Sequence, residues 1–269
     1  MKKILIFGGT TEGRKLSYLL SDWGIPVAVS VATEYGREAQ GEKSGIKVYV
    51  GRRNCAEMAA LLRDNVLICV DATHPYAAEA TRNIQTACAE SGVMYRRLSR
   101  PAVWRDSDMD IKNLDFIKIF SNTREAARYL SENTRDERIL LTIGAKELRI
   151  FSEFENLNPI RLYPRILPTH EGLDVCEAVK IPRENIIAMR GPFSTAFNQA
   201  LIRQFEIQYL VTKDGGKIGG FPEKIEAARN TGIKLILIRR PAEPAENYNF
   251  DTIAAYCRAL FAENAYKYY

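Results

Sequence analysis

Short apolar runs recur along this chain, separated by segments whose apolar residues fall at helical spacing. Lys3–Phe7 is such a run, and Leu16, Leu19 and Leu20 then recur with helical periodicity between about Thr11 and Trp23. Gly24 suits the left-handed residue after a helix end. Pro26–Ala32 and Ile46–Val50 read as strands, Ala56–Arg63 as a short helix and Val66–Val70 as a strand covered on both faces. Asp71-Ala72-Thr73-His74-Pro75 leads into a helix from about Tyr76 to Ser91, with Pro75 suited to its first turn, and Val93–Leu98 closes the series. Residues 100–114 carry no periodicity. A second series follows, with strands at Phe116–Phe120, Ile139–Ile143, Pro159–Tyr163, Ile186–Met189, Tyr209–Thr212 and Lys234–Ile238. Helices fit between them at Thr123–Asn133, Lys146–Phe151, Glu171–Val179, Ser194–Phe205 and Pro222–Asn230. A Pro-rich break, Pro241 to Asn247, precedes an amphipathic helix, Asp251–Phe261, with Ile253, Tyr256, Leu260 and Phe261 on one side.

Strands separated by helices require right-handed crossovers and hence mostly parallel sheets. The pattern predicts an α/β chain of two doubly wound domains facing a cleft. The expected divisions are an N-terminal domain at 1–100, a linker at 101–114, a C-terminal α/β domain at 115–240 and a Pro-rich connection with a final helix at 241–269.

Composition narrows the class. A chain of 269 residues with 46% hydrophobic and 26% charged residues is ordinary for a folded protein. Its apolar runs fall far short of the roughly 20 residues of a membrane span. The run after Met1-Lys2-Lys3 is too short for a signal peptide, so no membrane partner is expected. Cys55, Cys69, Cys88, Cys176 and Cys257 are scattered, with no Cys-x-x-Cys pair, and the only histidines are His74 and His170. This pattern predicts reduced, mostly buried thiols in a cytoplasmic protein and no metal site. The net charge of +5 comes without a block of like charges, which argues against a nucleic-acid partner and suits an anionic small molecule.

Candidate chemistry lies at the carboxyl ends of the predicted strands, where open α/β sheets collect ligands. In Gly8-Gly9-Thr10-Thr11-Glu12-Gly13-Arg14, two adjacent glycines permit a tight turn and close approach of a phosphate. The N–H groups of the following helix and the Thr10 and Thr11 hydroxyls would hold it, and Arg14 lies within reach. The spacing is a variant of G-x-G-x-x-G, and a turn that only packs strand on helix is the alternative. In Asp71-Ala72-Thr73-His74-Pro75-Tyr76-Ala77, Thr73 suits a helix cap, Asp71 would orient the loop, and His74 can move a proton near neutral pH. Arg190-Gly191-Pro192-Phe193-Ser194 joins another strand end to a helix that Ser194 would cap. Thr212-Lys213-Asp214-Gly215-Gly216-Lys217-Ile218-Gly219-Gly220 is too glycine-rich for a bare connection, and Lys213 and Lys224 offer charge to phosphate or carboxylate. Ile143-Gly144-Ala145-Lys146 and Tyr163-Pro164-Arg165-Ile166-Leu167-Pro168 are further strand-end loops with one cation each. The chain lacks G-x-S-x-G, Walker A and H-E-x-x-H motifs, which disfavours serine or zinc hydrolase chemistry.

Taken together, Gly8 to Arg14, Asp71 to Ala77, Arg165-Ile166-Leu167-Pro168, Gly191-Pro192-Phe193-Ser194 and Thr212-Lys213-Asp214 with Glu223-Lys224 and Ala227-Ala228 resemble the precorrin-6A reductase family of cobalamin biosynthesis. Gly215 departs from that pattern, which has a serine there, and Gly51-Arg52-Arg53 resembles a glycine-basic turn of the family. The resemblance implies two Rossmann-like domains and reduction of one macrocycle double bond of precorrin-6A, or its cobalt form, by NADPH or NADH. It implies cofactor contacts from Gly8, Gly9, Thr10, Thr11, Glu12, Gly13, Arg14, Thr73, Lys213, Asp214 and Gly215. Substrate contacts would come from Arg165, Arg190, Gly191, Phe193, Ser194 and Lys224, and His74 or Tyr76 would orient substrate or relay the proton. Two other readings compete: a nucleotide-dependent oxidoreductase or epimerase of sugar nucleotides, which would want a Tyr-x-x-x-Lys pair, and a non-catalytic dinucleotide sensor. Glu34, near the end of the second strand, suits a ribose hydroxyl, and Arg37 suits a 2′-phosphate.

Overall fold

A computed structural model describes residues 2–99, 115–215, 219–240 and 247–265. The expected linker at 101–114, the glycine-loop residues 216–218 and most of the Pro-rich break lie outside the described residues. The chain divides into two compact units, Met1–Pro101 with Pro241–Tyr269, and Ala102–Arg240.

The first unit has a six-stranded sheet in which every recorded pairing is parallel. Its elements are β1 (Lys3–Phe7), α1 (Thr11–Asp22), β2 (Val27–Val31), α2 (Glu34–Gln40), β3 (Ile46–Val50), α3 (Cys55–Arg63), β4 (Val66–Asp71), α4 (Ala78–Ser91), β5 (Met94–Leu98), β12 (Asn247–Tyr248) and α10 (Phe250–Ala265). The strand order is β12-β5-β4-β1-β2-β3, so the winding reverses between β1 and β4. Ile4, Ile6, Val29, Ile68 and Val70 pack on one face against Leu16 and Leu20 of α1 and Ile253 and Cys257 of α10. Leu5, Ala28 and Cys69 face the other way, against Met58 and Leu62 of α3 and Ile84 and Cys88 of α4. The final helix therefore completes the first core.

The second unit holds β6 (Ile117–Phe120), α5 (Thr123–Asn133), β7 (Arg138–Thr142), α6 (Leu148–Ser152), β8 (Leu162–Ile166), α7 (His170–Ala178), β9 (Ile187–Ala188), α8 (Thr195–Gln204), β10 (Ile207–Lys213), α9 (Phe221–Thr231) and β11 (Lys234–Ile238). Its parallel order, β6-β11-β10-β7-β8-β9, reverses between β7 and β10.

The structure departs from the sequence pattern in several places. A short α2 follows β2 where no helix was expected; Thr33 caps it by accepting from the Gly36 N–H at 3.1 Å. The strand expected at Pro159–Tyr163 is instead a 3₁₀ turn, Pro159–Arg161, leading into β8. Pro164, which donates no ladder hydrogen bond, hid that strand, and Arg165 therefore lies inside it rather than in a loop. Helix α4 starts at Ala78, so Pro75 stands outside its first turn. Cys69, Cys88, Cys176 and Cys257 are buried free thiols, while Cys55 is part-exposed. Among the described residues no helix is long and apolar enough to cross a membrane.

Candidate active site

In the first unit the winding reversal brings two loops side by side. The first is the turn between β1 and α1. A Cβ at Gly8 would stand 3.0 Å from Val29 Cγ1, and one at Gly13 would stand 2.9 Å from Ala72 Cβ. Both glycines thus let helix and strands approach. Gly9 is different: its φ is +106°, and a Cβ there would meet nothing within 4 Å. The backbone bends in a conformation glycine favours, with open space before it. Tight turn, open approach and close helix–strand packing are the three tasks of glycines in a dinucleotide-binding turn. The turn at the start of α1, a helix of 12 residues, therefore fits a phosphate.

The Thr10 hydroxyl does not fit the phosphate role expected of it. It accepts from the Gly13 N–H at 3.1 Å, capping α1, and donates to the Ala72 carbonyl at 2.8 Å. Arg14 donates to the Ala39 carbonyl at 3.1 Å, at the end of α2, and Thr11 and Glu12 are half-buried in the first turn.

The second loop, residues 72–77, follows β4. Thr73 does not cap α4: the capping position is Ala77, with no side-chain hydrogen bond. Instead its backbone N–H and hydroxyl both reach Asp71 Oδ1, at 3.0 and 2.8 Å. Asp71 also pairs with Arg97 at 2.6 Å and accepts from the Tyr95 hydroxyl at 3.0 Å. Burial, reinforced by the Asp71 carboxylate, raises the Tyr95 phenol well above its ordinary range. Beyond this network His74 is exposed and Tyr76 half-buried, their rings stacked with centroids 5.6 Å apart. Asp71 thus orients the loop as its position suggested. Arg97, Tyr95 and Thr81 were missed, although two arginines inside a β5 that reads Met94-Tyr95-Arg96-Arg97-Leu98 were a signal.

At the ends of β2 and β3, Arg53 donates to Ser30 Oγ at 3.2 Å and to the Gly51 carbonyl at 2.9 Å. Glu34 and Arg37 stand at the start of α2 and pair with each other at 3.2 Å, both exposed.

The second unit gathers most of its predicted residues into one cluster. Arg165, on β8, donates to Asn198 Oδ1 at 2.7 Å, and its guanidinium lies 4.1 Å from the Phe193 ring centroid. Asn198 in turn donates to the Ser194 carbonyl at 3.0 Å, and Ser194 caps α8 by accepting from the Phe197 N–H at 3.2 Å. Lys224 Nζ donates to the Gly219 carbonyl at 2.9 Å. Arg165 and Lys224 are each only 7% exposed, so two cations are buried together. Burial lowers Arg165 to about 10. Burial first, then the Arg165 charge, holds Lys224 at about 7, against the pull of Glu223. Glu223 Oε2 is buried and accepts no hydrogen bond within the described residues. Arg190 and Gly191 are exposed beside this cluster, and the Gly191–Pro192 bond is cis.

Lys213 and Asp214 stand at the end of β10, at the β7/β10 reversal. Glu147 pairs with Lys213 and accepts from the Thr123 hydroxyl. Asp214 pairs with Arg240 at 3.4 Å. Gly215 and Gly219 bring their backbones together: a Cβ on Gly219 would stand 2.8 Å from the Gly215 carbonyl oxygen. The close approach is therefore a reason for glycine at 219; a Cβ on Gly215 would stand 3.3 Å from Gly219 Cα.

Fold and site define an α/β protein built on two parallel, doubly wound sheets with its candidate loops at the strand ends. The family model described as precorrin-6x reductase CbiJ/CobK matches residues 3–260. A protein of Priestia megaterium named cobalt-precorrin-6A reductase is 33% identical over 240 residues, covering 88% of this chain and 90% of that one. The Rhodobacter capsulatus protein named precorrin-6A reductase is 31% identical over 252 residues, covering 92% and 91%. A solved structure titled CobK precorrin-6A reductase superposes with a TM-score of 0.73 at 27% identity, covering 97% of this chain and 98% of that one. The chain belongs to the precorrin-6x reductase family.

Proposed function

We propose that this chain reduces one double bond of a precorrin-6A-type macrocycle with NADPH. What carries the reading is the β1/β4 reversal, where the open Gly9 turn and the His74 loop are bonded to each other through Thr10 and Ala72. It stands inside a family match that runs over residues 3–260. A reduced nicotinamide supplies the hydride when bound, and the chain supplies position and charge. Gly8, Gly9 and Gly13 with the N-terminus of α1 hold a phosphate of the dinucleotide. His74 and Tyr76, stacked at the mouth of the second loop, orient the macrocycle and pass the proton to the carbon beside the one receiving hydride. Arg165, Arg190, Ser194 and Lys224 hold the macrocycle's acetate and propionate carboxylates, with Gly191 and Phe193 beside them, and Arg165 and Lys224 act from partly desolvated positions where charge is felt strongly.

NADPH is favoured over NADH by the charges around β2 and β3. Glu34, which suits a ribose hydroxyl, is already paired with Arg37, and Arg52 and Arg53 add two further cations nearby. Replacing Arg37 by alanine is expected to raise KM for NADPH about tenfold, the size of one charge-assisted hydrogen bond, and to leave NADH turnover little changed. Equal effects on both cofactors would place the 2′-phosphate elsewhere.

Anaerobic titration of the protein with each nicotinamide and with the cobalt-bearing and cobalt-free macrocycles tests the main reading by absorbance. Loss of the macrocycle chromophore with stoichiometric cofactor oxidation is expected. Tight dinucleotide binding without turnover would favour the sensor instead. His74→Ala is expected to lower kcat by 10²-fold or more, within the range of a lost general acid, and to remove its limb of the pH profile. An unchanged rate and profile would return the proton to solvent.

A further inference from the structure

We infer that Arg97 is the positioning residue of the His74 loop, acting through a closed network that no ligand has to complete. The inference rests on the reading above only in giving that loop a task. Parallel β4 and β5 set Asp71 and Arg97 directly opposite each other in register, at the carboxyl ends of both strands. Both side chains are buried, at 0% and 3% exposure, so the pair is stable only if its remaining hydrogen-bonding capacity is used.

That capacity is used on the loop. Arg97 Nη1 donates to Thr73 Oγ1 at 2.9 Å and to Thr81 Oγ1 at 3.2 Å, and Nη2 donates to the Thr73 carbonyl at 3.1 Å. Asp71 takes the Thr73 N–H and hydroxyl on one oxygen and the Tyr95 hydroxyl on the other. One guanidinium therefore joins the end of β4, the residue next to His74, and the first turns of α4. The fork geometry of arginine is what reaches four acceptors at once; a lysine ammonium is a point donor.

The network stops short of the glycine turn. Its links to that turn run through Ala72, whose carbonyl accepts from Thr10 and whose Cβ lies against Gly13, and not through the Arg97 guanidinium, whose recorded partners are Asp71, Thr73 and Thr81. Disturbing Arg97 should move His74 more than the phosphate turn. That asymmetry separates positioning from a general loss of structure.

Arg97→Lys, with Thr81→Val as a milder partner that removes one anchor, tests this. Because the chain has two histidines, their ring signals can be followed individually by ¹H–¹⁵N NMR, with His170 of the second unit as internal control. Arg97→Lys is expected to shift the His74 ring signals while those of His170 stay in place. The kcat should fall 10- to 100-fold, the scale of an ångström-level misplacement, with dinucleotide Kd changed less than about threefold. Thr81→Val is expected to move the same quantities in the same direction by less. Unchanged His74 signals and unchanged kcat in both variants would overturn the inference. So would a dinucleotide Kd that weakens in step with kcat, which would mark a merely structural residue. A wild-type protein that shows no turnover, with His74 still displaced by Arg97→Lys, would instead sink the functional reading and leave the positioning role standing.

Discussion

Gly9→Ala is expected to weaken dinucleotide binding at least tenfold with a loss of stability limited to backbone strain, whereas Gly13→Val should lose binding together with core packing of the first unit. The two glycines share one turn, but their surroundings differ. At Gly9 an added Cβ meets no protein atom within 4 Å, so no core packing is disturbed. The variant bears only the strain of φ +106° on an L-residue, on the order of 1–3 kcal/mol. On the proposed reading its methyl group projects into the space the dinucleotide phosphate enters, so binding falls for a reason separate from folding. At Gly13 the added Cβ would stand 2.9 Å from Ala72 Cβ, closer than carbon atoms pack, and valine adds two further methyl groups. Overpacking of this kind costs about 1–3 kcal/mol or more and would push α1 away from β4. It also breaks the geometry by which Thr10 reaches Ala72. Calorimetric titration with NADPH and thermal unfolding of both variants distinguish the cases. A Gly9→Ala protein with wild-type affinity would show that the turn serves packing alone and that the dinucleotide is held elsewhere.

That contrast also shows where the sequence could be read and where it could not. Periodicity placed β1, α5 and β11 at their observed limits, because each is a strong apolar or amphipathic pattern bounded by turn residues. It missed α2, Glu34–Gln40, a short and largely polar helix that depends on a cap at Thr33 and on Gly36 lying against Val31. It displaced β8 because Pro164 looks like a strand terminator, although a strand can carry proline where no ladder donor is needed. The loops of the site were legible because glycine, proline and polar residues cluster at strand ends. Their wiring was not. Which cation meets which carboxylate depends on strand order and register: Asp71 meets Arg97 only because β5 lies beside β4, and Lys213 meets Glu147 only because β10 lies beside β7. Thr10 and Thr73 illustrate the same limit. Both looked like ligand or cap hydroxyls in sequence; Thr10 caps α1 and donates to Ala72, and Thr73 donates to Asp71 and accepts from Arg97, so each has a partner that the fold brings in from elsewhere.

Lys224→Met is expected to stabilise the protein at and below neutral pH and to flatten a pH dependence that the wild-type chain shows. Lysine in the unfolded chain titrates near its ordinary value of about 10.4. In the fold, burial and then the nearby Arg165 charge hold Lys224 at about 7. Between those two values the unfolded chain binds a proton that the folded chain does not, so stability rises with pH across that window. Below about pH 7 the lysine is charged in both states but buried only in the folded one, so its full penalty remains. The slope is bounded by about 1.4 kcal/mol per pH unit, and methionine, of similar length and without charge, removes it. Denaturant unfolding of both proteins from pH 6 to pH 9.5 should therefore show the variant more stable at the acid end, with the wild type gaining on it as pH rises. The same group links to function with the opposite sense. A carboxylate arriving at the Arg165–Lys224 cluster favours the charged lysine, so macrocycle binding should take up a proton near neutrality and KM should rise above pH 7. In Lys224→Met that rise should disappear while KM at pH 6 is raised about tenfold, as expected for loss of one charge-assisted contact. Parallel stability curves for the two proteins would refute the buried-lysine titration. An unchanged KM profile beside divergent stability curves would keep Lys224 as a core cation and remove it from substrate binding.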